Sequence, residues 1–325
     1  MRALVTGGDG FVGEHLICHL LSRDVDVTAS AVALPPDRST MTFEQAAEVD
    51  WKVADVLDHA ALYRLVAAVR PDHIYHLAGF ASGARAREEA ERAMRVNAGG
   101  TVNLLEAIVS AREDFPDLDP RTLIMGSGEA YGDAIRKGHP AREDSQLCPC
   151  SPYGLSKACQ ELAAHTYRRA SGLRTIVARP FNLLGPGQKA DFVVPSFCAQ
   201  VAAIAGARAE PVLRVGNLDV ERDFLDVRDA VRGFRAIMEL ERPDVSYNVC
   251  SGRAVSIRTI LSWILSEAGV EAEIRVDPDR VRPDEPEWLA GDPSRLREQA
   301  GWTPEGDVEE AVRRTYRWIE ASTRS

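Results

Sequence analysis

Tyr153 and Lys157 stand four residues apart in the run Ser151-Pro152-Tyr153-Gly154-Leu155-Ser156-Lys157. On a helix, positions i and i+4 share a face, so phenol and ammonium point into the same space. A free phenol has a pKa of about 10. A neighbouring ammonium stabilises the phenolate, and Lys157 is expected to bring Tyr153 toward neutrality as a proton donor or acceptor. By itself Tyr-x-x-x-Lys is a common pattern. Its weight comes from two further groups. One is Gly126-Ser127-Gly128-Glu129-Ala130-Tyr131-Gly132 at the end of an apolar run. There Ser127 is a turn hydroxyl or a hydrogen-bond donor to a substrate oxygen, and Glu129 is a surface charge or a carboxylate at the same edge. The other is Thr6-Gly7-Gly8-Asp9-Gly10-Phe11-Val12-Gly13, with glycines at 7, 10 and 13.

The glycines follow a short β-type run, Arg2–Thr6, and open a stretch with Phe11, Leu16, Ile17, Leu20 and Leu21 at helical spacing. A strand, a glycine turn and a helix N-terminus form a phosphate cradle, because free N–H groups and the positive end of the helix dipole face the anion. A dinucleotide fits this turn, with Lys157 then within reach of a nicotinamide ribose. Such sites often carry an acidic residue about 20 positions on, at the end of the second strand, for the adenosine ribose. Val27-Thr28-Ala29-Ser30-Ala31-Val32 has none, and the nearest arginine is Arg38, so NAD against NADP stays open. Asp55, after the third strand, either holds adenine or caps the helix that begins near Asp58.

These groups need a scaffold. Strands are expected at 2–6, 25–29, 51–53, 73–77, 123–125 and 175–178, with helices at Phe43–Glu48, 60–69 and 153–170. A long helical stretch covers 85–112, with a break expected around Asn97-Ala98-Gly99-Gly100. Alternating strands and helices predict βαβ units and a doubly wound parallel α/β sheet of Rossmann type. Past residue 180, prolines punctuate shorter elements, as at Pro186, Pro195, Pro211 and Pro243. The chain therefore divides into a first domain, 1–180, and a smaller interleaved α/β lobe, 181–325.

Composition agrees. The chain has 325 residues, 45% hydrophobic and 27% charged, with a net charge of −10 and a pI near 5.3. That is ordinary for a globular protein and argues against disorder. An acidic chain is a poor nucleic-acid or membrane-surface binder. No apolar run reaches the roughly 18 residues of a membrane span, and Met1 leads straight into Ala3-Leu4-Val5 without a signal-peptide pattern, so a cytoplasmic protein is expected. The six cysteines read as buried thiols of a reducing compartment. Cys148-Pro149-Cys150 lacks a second pair, and His15 and His19 lack a third ligand, so no metal is expected.

The three motifs together resemble the extended short-chain dehydrogenase/reductase family, which acts largely on nucleotide sugars. The resemblance covers nearly the whole chain. It includes His76-Leu77-Ala78-Gly79, Asn97 to Leu105, Arg179-Pro180-Phe181-Asn182, Arg222 to Val227 and Gly291 to Leu296. Within it, Phe181 to Gln188, Val215 to Leu218, Tyr247 to Gly252 and Arg282 to Glu285 are similar to the GDP-4-keto-6-deoxy-D-mannose reductases. The GDP-mannose 4,6-dehydratases are near relatives.

The resemblance implies NAD(P) as cofactor. It places Gly7, Gly10 and Gly13, with Phe11 and Val12, at the pyrophosphate. Asp55 and Val56 would lie at adenine, and Leu77, Ala78 and Gly79 along the cofactor path. Ser127, Tyr153 and Lys157 would be catalytic, with Glu129 beside them. Tyr153, Lys157 and Pro180 would also touch the cofactor, with Asn182 between nicotinamide and substrate. Arg222 and Arg282 would neutralise a substrate diphosphate, and Val193 and Asn217 would line the base pocket. The expected reaction is reduction of a nucleotide-linked 4-keto-6-deoxy sugar at C4, with a GDP-sugar favoured. A 4,6-dehydratase or epimerase that retains its cofactor is the alternative, and a non-catalytic nucleotide sensor a remote one. Ser127-Gly128-Glu129 lacks the Thr typical of the dehydratase motif. A homodimer is expected through the helices at 85–112 and 153–170.

Overall fold

The computed structural model describes residues 1–33, 40–281 and 286–324. Its strands, in chain order, are β1 Arg2–Thr6, β2 Asp26–Ala31, β3 Asp50–Val53, β4 His73–His76, β5 Arg121–Met125, β6 Arg174–Pro180, β7 Asn182–Leu184, β8 Val212–Val215, β9 Glu221–Asp226, β10 Ser246–Val249, β11 Ala254–Ser256, β12 Glu273–Val276 and β13 Trp288–Leu289. The α-helices are α1 Phe11–Leu21, α2 Phe43–Glu48, α3 His59–Val69, α4 Gly83–Glu88, α5 Ala90–Met94, α6 Gly100–Asp114, α7 Pro152–Ala170, α8 Val193–Ala205, α9 Val227–Glu239, α10 Ile257–Ala268, α11 Ser294–Ala300 and α12 Val308–Arg324.

Seven strands form one parallel sheet in the order β3-β2-β1-β4-β5-β6-β10. Strands β1, β4, β5 and β6 are buried almost throughout, as strands covered on both faces must be. One face packs on α1 and α9 through Leu16, Ile17, Leu20, Val231 and Phe234. The other packs on α3 and α6 through Leu62, Val66, Leu104 and Ile108. This is the Rossmann-type sheet expected above. Its strand order reverses between β1 and β4, and ligands of such sheets bind in the crevice outside the strand C-termini at that point. Thr6, His76, Met125 and Pro180 end the four strands that border it.

The seventh strand, β10, comes from beyond residue 180 and pairs with β6 from Val177 to Pro180. The rest of the second half builds a small sheet around β9, which pairs with β7, β11 and β13, and a two-stranded β8–β12 ribbon. Helices α8, α10 and α12 close a separate core over these strands through Phe197, Val201, Ile260, Ile264 and Tyr316.

The helical stretch after β4 differs from expectation. It is interrupted at Glu89, between α4 and α5. The chain does not break at 97–100 but continues through a π-turn, Arg95–Gly99, straight into α6. Asn97 explains the extra residue in that turn. Its side chain accepts from the Phe80 N–H (2.7 Å) and donates to the Phe80 carbonyl (3.1 Å) and the Ser156 hydroxyl (2.8 Å), so it must face inward. Single π-turns are frequent where a helix serves a site.

Candidate active site

The crevice begins at the glycine turn. Gly7 has φ of +69°, a left-handed conformation that favours glycine. A Cβ on Gly13 would collide with the Gly7 carbonyl oxygen and come within 2.7 Å of that of Gly8. Gly10 starts α1 without a side-chain cap, and Glu14 N–H makes the first intrahelical bond, to the Gly10 carbonyl (3.0 Å). Helix geometry therefore leaves the N–H groups of Phe11, Val12 and Gly13 without intrahelical partners, turned to the crevice. Opposite them, Ala78 lies against Gly7, 2.7 Å from where a Gly7 Cβ would sit. A Cβ on Gly79 would come 2.8 Å from Asn97 Oδ1 and 3.5 Å from Lys157 Nζ. A bare glycine there keeps open a path from the turn to Lys157. These residues fit a dinucleotide laid along the strand ends.

Two other residues expected at the cofactor stand apart. Val56 is buried, and its carbonyl accepts from Asn103 Nδ2 (3.0 Å). Asp55 is exposed and accepts from the Leu57 N–H (2.9 Å). The cap of α3 is Asp58, through the Ala61 N–H (2.9 Å), so the capping role considered for Asp55 belongs to its neighbour.

Helix α7 presents the tyrosine and the lysine. Ser151 caps it by accepting from the Gly154 N–H (3.0 Å), and Pro152 occupies the first turn, where its missing N–H costs nothing. Lys157 Nζ lies 5.9 Å from the Tyr153 ring centroid. Tyr153 is hydrogen-bonded to the Ser127 side chain, which also accepts from the Glu129 N–H (3.1 Å) in the short 3₁₀ turn after β5. Glu129 Oε2 accepts from the Ser151 hydroxyl at 3.3 Å. Ser127, Glu129, Tyr153 and Lys157 therefore gather at one place, as their motifs suggest.

Their electrostatics differ from the expectation. Burial pushes Tyr153 above the ordinary phenol range, the Glu129 carboxylate pushes it further, and the Ser127 hydrogen bond opposes both. Tyr153 is therefore not brought toward neutrality here. Burial lowers the lysine itself to about 7. Its ammonium donates to the Met125 carbonyl (2.8 Å) and to Gln160 Oε1 (2.9 Å). The spacing put the two groups on one face, and desolvation then governs both.

The residues expected at the substrate come from elsewhere. Pro180 is buried at the end of β6. Phe181 follows, stacked on Tyr131 with ring centroids 6.3 Å apart and packed where a Gly128 Cβ would be, at 2.9 Å. This joins the Ser127 turn to β7, where Asn182 Nδ2 donates to the Asp223 carbonyl (3.2 Å). Arg222 on β9 is 6% exposed, with Nη1 donating to the Glu221 carbonyl (2.9 Å). Val193 and Asn217 are exposed, and Asn217 accepts from the Asp219 N–H (3.0 Å). Nothing ties those two to Tyr153 directly. Arg282 and Arg38 lie outside the described residues.

Several residues were given no role at the site by the sequence alone. Gln160, Thr101 and His76 are fully buried and connected to Lys157. Gln160 is three positions after Lys157 and seven after Tyr153, so helical spacing alone puts it on their face. Asp223 is buried, accepts from Ser251 and from the Gly252 and Gly291 N–H groups, and is raised by burial to about 6. Glu14 is buried at the start of α1 and takes both the N–H and the hydroxyl of Thr40, each at 2.6 Å. Among the described residues no group of His, Cys, Asp and Glu is arranged to hold a metal, and no helix is long and apolar enough to cross a membrane.

The family model described as GDP-mannose 4,6 dehydratase matches residues 4–315. The chain belongs to the GDP-mannose 4,6-dehydratase family. Within that family it is 34% identical over 312 residues to a GDP-6-deoxy-D-mannose reductase of Pseudomonas aeruginosa, covering 96% of this chain and 95% of the relative. It is 28% identical to a GDP-mannose 4,6-dehydratase of Yersinia enterocolitica, covering 95% and 91%. Among solved structures, the Pseudomonas aeruginosa protein RMD, complexed with NADPH, superposes with a TM-score of 0.81 at 30% identity over 99% of both chains. A Thermus thermophilus UDP-glucose 4-epimerase in complex with NAD gives 0.85 at 27% identity over 99% of this chain and 100% of that one. The family carries the extended short-chain dehydrogenase/reductase architecture, so the resemblance read from the three motifs holds.

Proposed function

We propose that this family member is an NAD(P)H-dependent reductase of a nucleotide-linked 4-keto-6-deoxy sugar, acting at C4, with a GDP-sugar as substrate. The observation that carries the reading is the gathering of three groups: Tyr153 hydrogen-bonded to Ser127, with the buried Lys157 Nζ 5.9 Å from its ring. A phenol beside a hydroxyl that can hold the same oxygen suits a proton donor to a ketone. The 34% identity to a reductase over nearly the full chain points the same way.

A bound NAD(P)H supplies the hydride that reduces a ketone. The chain's own residues do the rest. The N–H groups of Phe11, Val12 and Gly13 take the pyrophosphate in the turn set by Gly7 and Gly10. Asp55 and Val56 lie at adenine, and Leu77, Ala78, Gly79 and Pro180 shape the path to the nicotinamide. Ser127 holds the C4 oxygen, and Tyr153 Oη gives it a proton as charge develops there, a contribution of roughly 10²–10⁴-fold for such groups. The Lys157 ammonium favours the phenolate left behind and bonds the ribose. Arg222 and Arg282 would neutralise the diphosphate, a role that suits bidentate guanidinium chemistry. Asn182 stands at the sugar, and Val193 and Asn217 at the base. The division is a cofactor-binding domain over 1–180 and a substrate lobe over 181–325, interleaved where β10 joins the first sheet.

Glu129 supports a second reading. A carboxylate next to Tyr153 is where a 4,6-dehydratase needs a base for the C5 proton, and a dehydratase is among the relatives. Offering GDP-mannose with NAD(P)+ and, separately, the 4-keto-6-deoxy sugar with NAD(P)H decides by product analysis. Turnover of the second substrate alone supports the reductase, and turnover of the first overturns it.

The same reading includes a homodimer. Leu155 and Leu162, seven residues apart on α7, are 46% and 58% exposed, an apolar face that the chain itself does not cover. A second copy packing α7 and the helices after β4 against their equivalents would cover it. Light scattering at micromolar concentration is expected to give twice the 35.6 kDa chain mass, and a single monomeric species refutes the dimer.

A further inference from the structure

Of the 39 basic residues in this chain only four are lysines: Lys52, Lys137, Lys157 and Lys189. Lys157 alone is buried, at 4% exposure, and the other three are exposed. An ammonium has three donors and no acceptor, and each must find a partner when water is removed. Lys157 has two: the Met125 carbonyl at the end of β5 and Gln160 Oε1 one turn further along α7. The backbone carbonyl is fixed by the sheet. The amide oxygen is fixed only if something holds the amide.

Something does. Gln160 Nε2 donates to Thr101 Oγ1 at 2.8 Å. Thr101 sends its own proton to the Asn97 carbonyl at 2.7 Å, so toward His76 Nε2, 3.0 Å away, its oxygen can only accept. His76 therefore carries its proton on Nε2. Its Nδ1 must then accept from Thr6 Oγ1, at 2.8 Å. The direction of every bond in the chain is determined, and each member is buried. A protonated His76 would put a second proton where Thr6 already donates. Burial and the Lys157 charge hold His76 neutral, down to about 3. An amide does not relay a proton along such a chain, so the array orients groups and does not conduct.

We propose that Gln160 is the positioning residue for Lys157. It fixes the direction of the ammonium and, through Thr101 and His76, locks it to Thr6, the residue that enters the glycine turn. Two donors are thereby occupied and the third is left to the crevice. One device thus sets the lysine and the cofactor turn in a common frame. The inference rests on reading Lys157 as the group that serves Tyr153 and the cofactor, but it concerns the lysine itself and can be tested without substrate. The titratable groups about Lys157 are Tyr153 on its own helix, with Glu129 beyond it, and His76 on β4. Burial lowers its pKa.

Four lysines make the test simple. With ¹³C label at lysine Cε, the full-length protein should give four resonances, and Lys157→Met assigns the buried one. The Lys157 resonance is expected to titrate near neutrality. Gln160→Glu puts a carboxylate where the amide oxygen is and should raise the Lys157 midpoint by about one to three pH units. Gln160→Met keeps the length, removes an acceptor of the charged form, and should lower it. NADPH or NADH binding, followed by fluorescence against pH, should move in the same direction in each variant. If one variant fails to fold, the other still decides. A Lys157 midpoint unchanged by either substitution overturns the proposal, even if turnover falls. A shifted midpoint in a protein with no sugar reductase activity upholds the positioning role while the reductase reading fails.

Discussion

On the floor of the crevice, Thr6, His76, Thr101, Gln160 and Lys157 are buried and bonded one to the next. In the second half of the chain, Val193 and Asn217 are exposed, and Asn217 bonds within its own turn. One region is a closed polar lattice, and the other is open to solvent. Groups that act on every substrate of a fold can be fixed in advance, since fully satisfied buried networks are rigid. Val193 and Asn217, proposed to meet the base, sit where side chains can be exchanged without disturbing that lattice. Arg222 lies between the two conditions, buried like the floor but carried on β9 of the second half.

The largest effect should come from the floor. Tyr153→Phe removes only the oxygen that gives the proton and is expected to lower kcat by roughly 10²–10⁴-fold. The fold and cofactor affinity should persist, because Tyr153 contributes one hydroxyl bond, to Ser127. Retention of more than about a third of the wild-type rate would remove Tyr153 from the mechanism.

Arg222→Ala should act on the other side. Loss of a charge-assisted hydrogen bond costs on the order of 1.5–3 kcal/mol, about 10- to 150-fold in nucleotide-sugar affinity. NADPH or NADH affinity should hardly change. Equal weakening for both ligands, measured by titration calorimetry, would erase the distinction between the two regions.

The smallest effect is expected at Glu129. Its carboxylate accepts from Ser151, the residue that caps α7, and Glu129→Gln keeps an acceptor oxygen there. A reductase leaves the C5 proton in place, so a change within a few-fold is expected. A dehydratase would lose its base and roughly 10²–10⁴-fold in rate. Assay in parallel with Tyr153→Phe separates the two cases.

Much of this was legible in the sequence, and the reasons are local. The glycine turn, β1 and α1 follow from glycine spacing and apolar periodicity. Tyr153, Lys157 and Ser127 follow from motifs at strand and helix ends. What escaped depends on distance along the chain or on solvent. β10 joins the first sheet from 66 residues beyond the end of β6, and no periodicity announces that. The π-turn at Arg95–Gly99 comes from Asn97 reaching Phe80 and Ser156. The four-residue spacing of Tyr153 and Lys157 was visible, but the water removed around them was not. That removal reverses the expected direction of the tyrosine's shift.

Delivery of an external hydride to C4, with no other carbon changed, is what sets a reductase apart from its dehydratase relatives. It is tested most directly by supplying the GDP-linked 4-keto-6-deoxy sugar with NAD(P)H carrying deuterium at nicotinamide C4, and locating the label by NMR. The run is repeated with unlabelled cofactor in D₂O, beside an enzyme-free control for solvent exchange. The account predicts one deuterium at sugar C4 per turnover in the first run, and no enzyme-dependent deuterium at C5 or C6 in the second. Consumption of GDP-mannose without net oxidation of added cofactor, with solvent deuterium entering C5 or C6, would contradict it and identify a dehydratase.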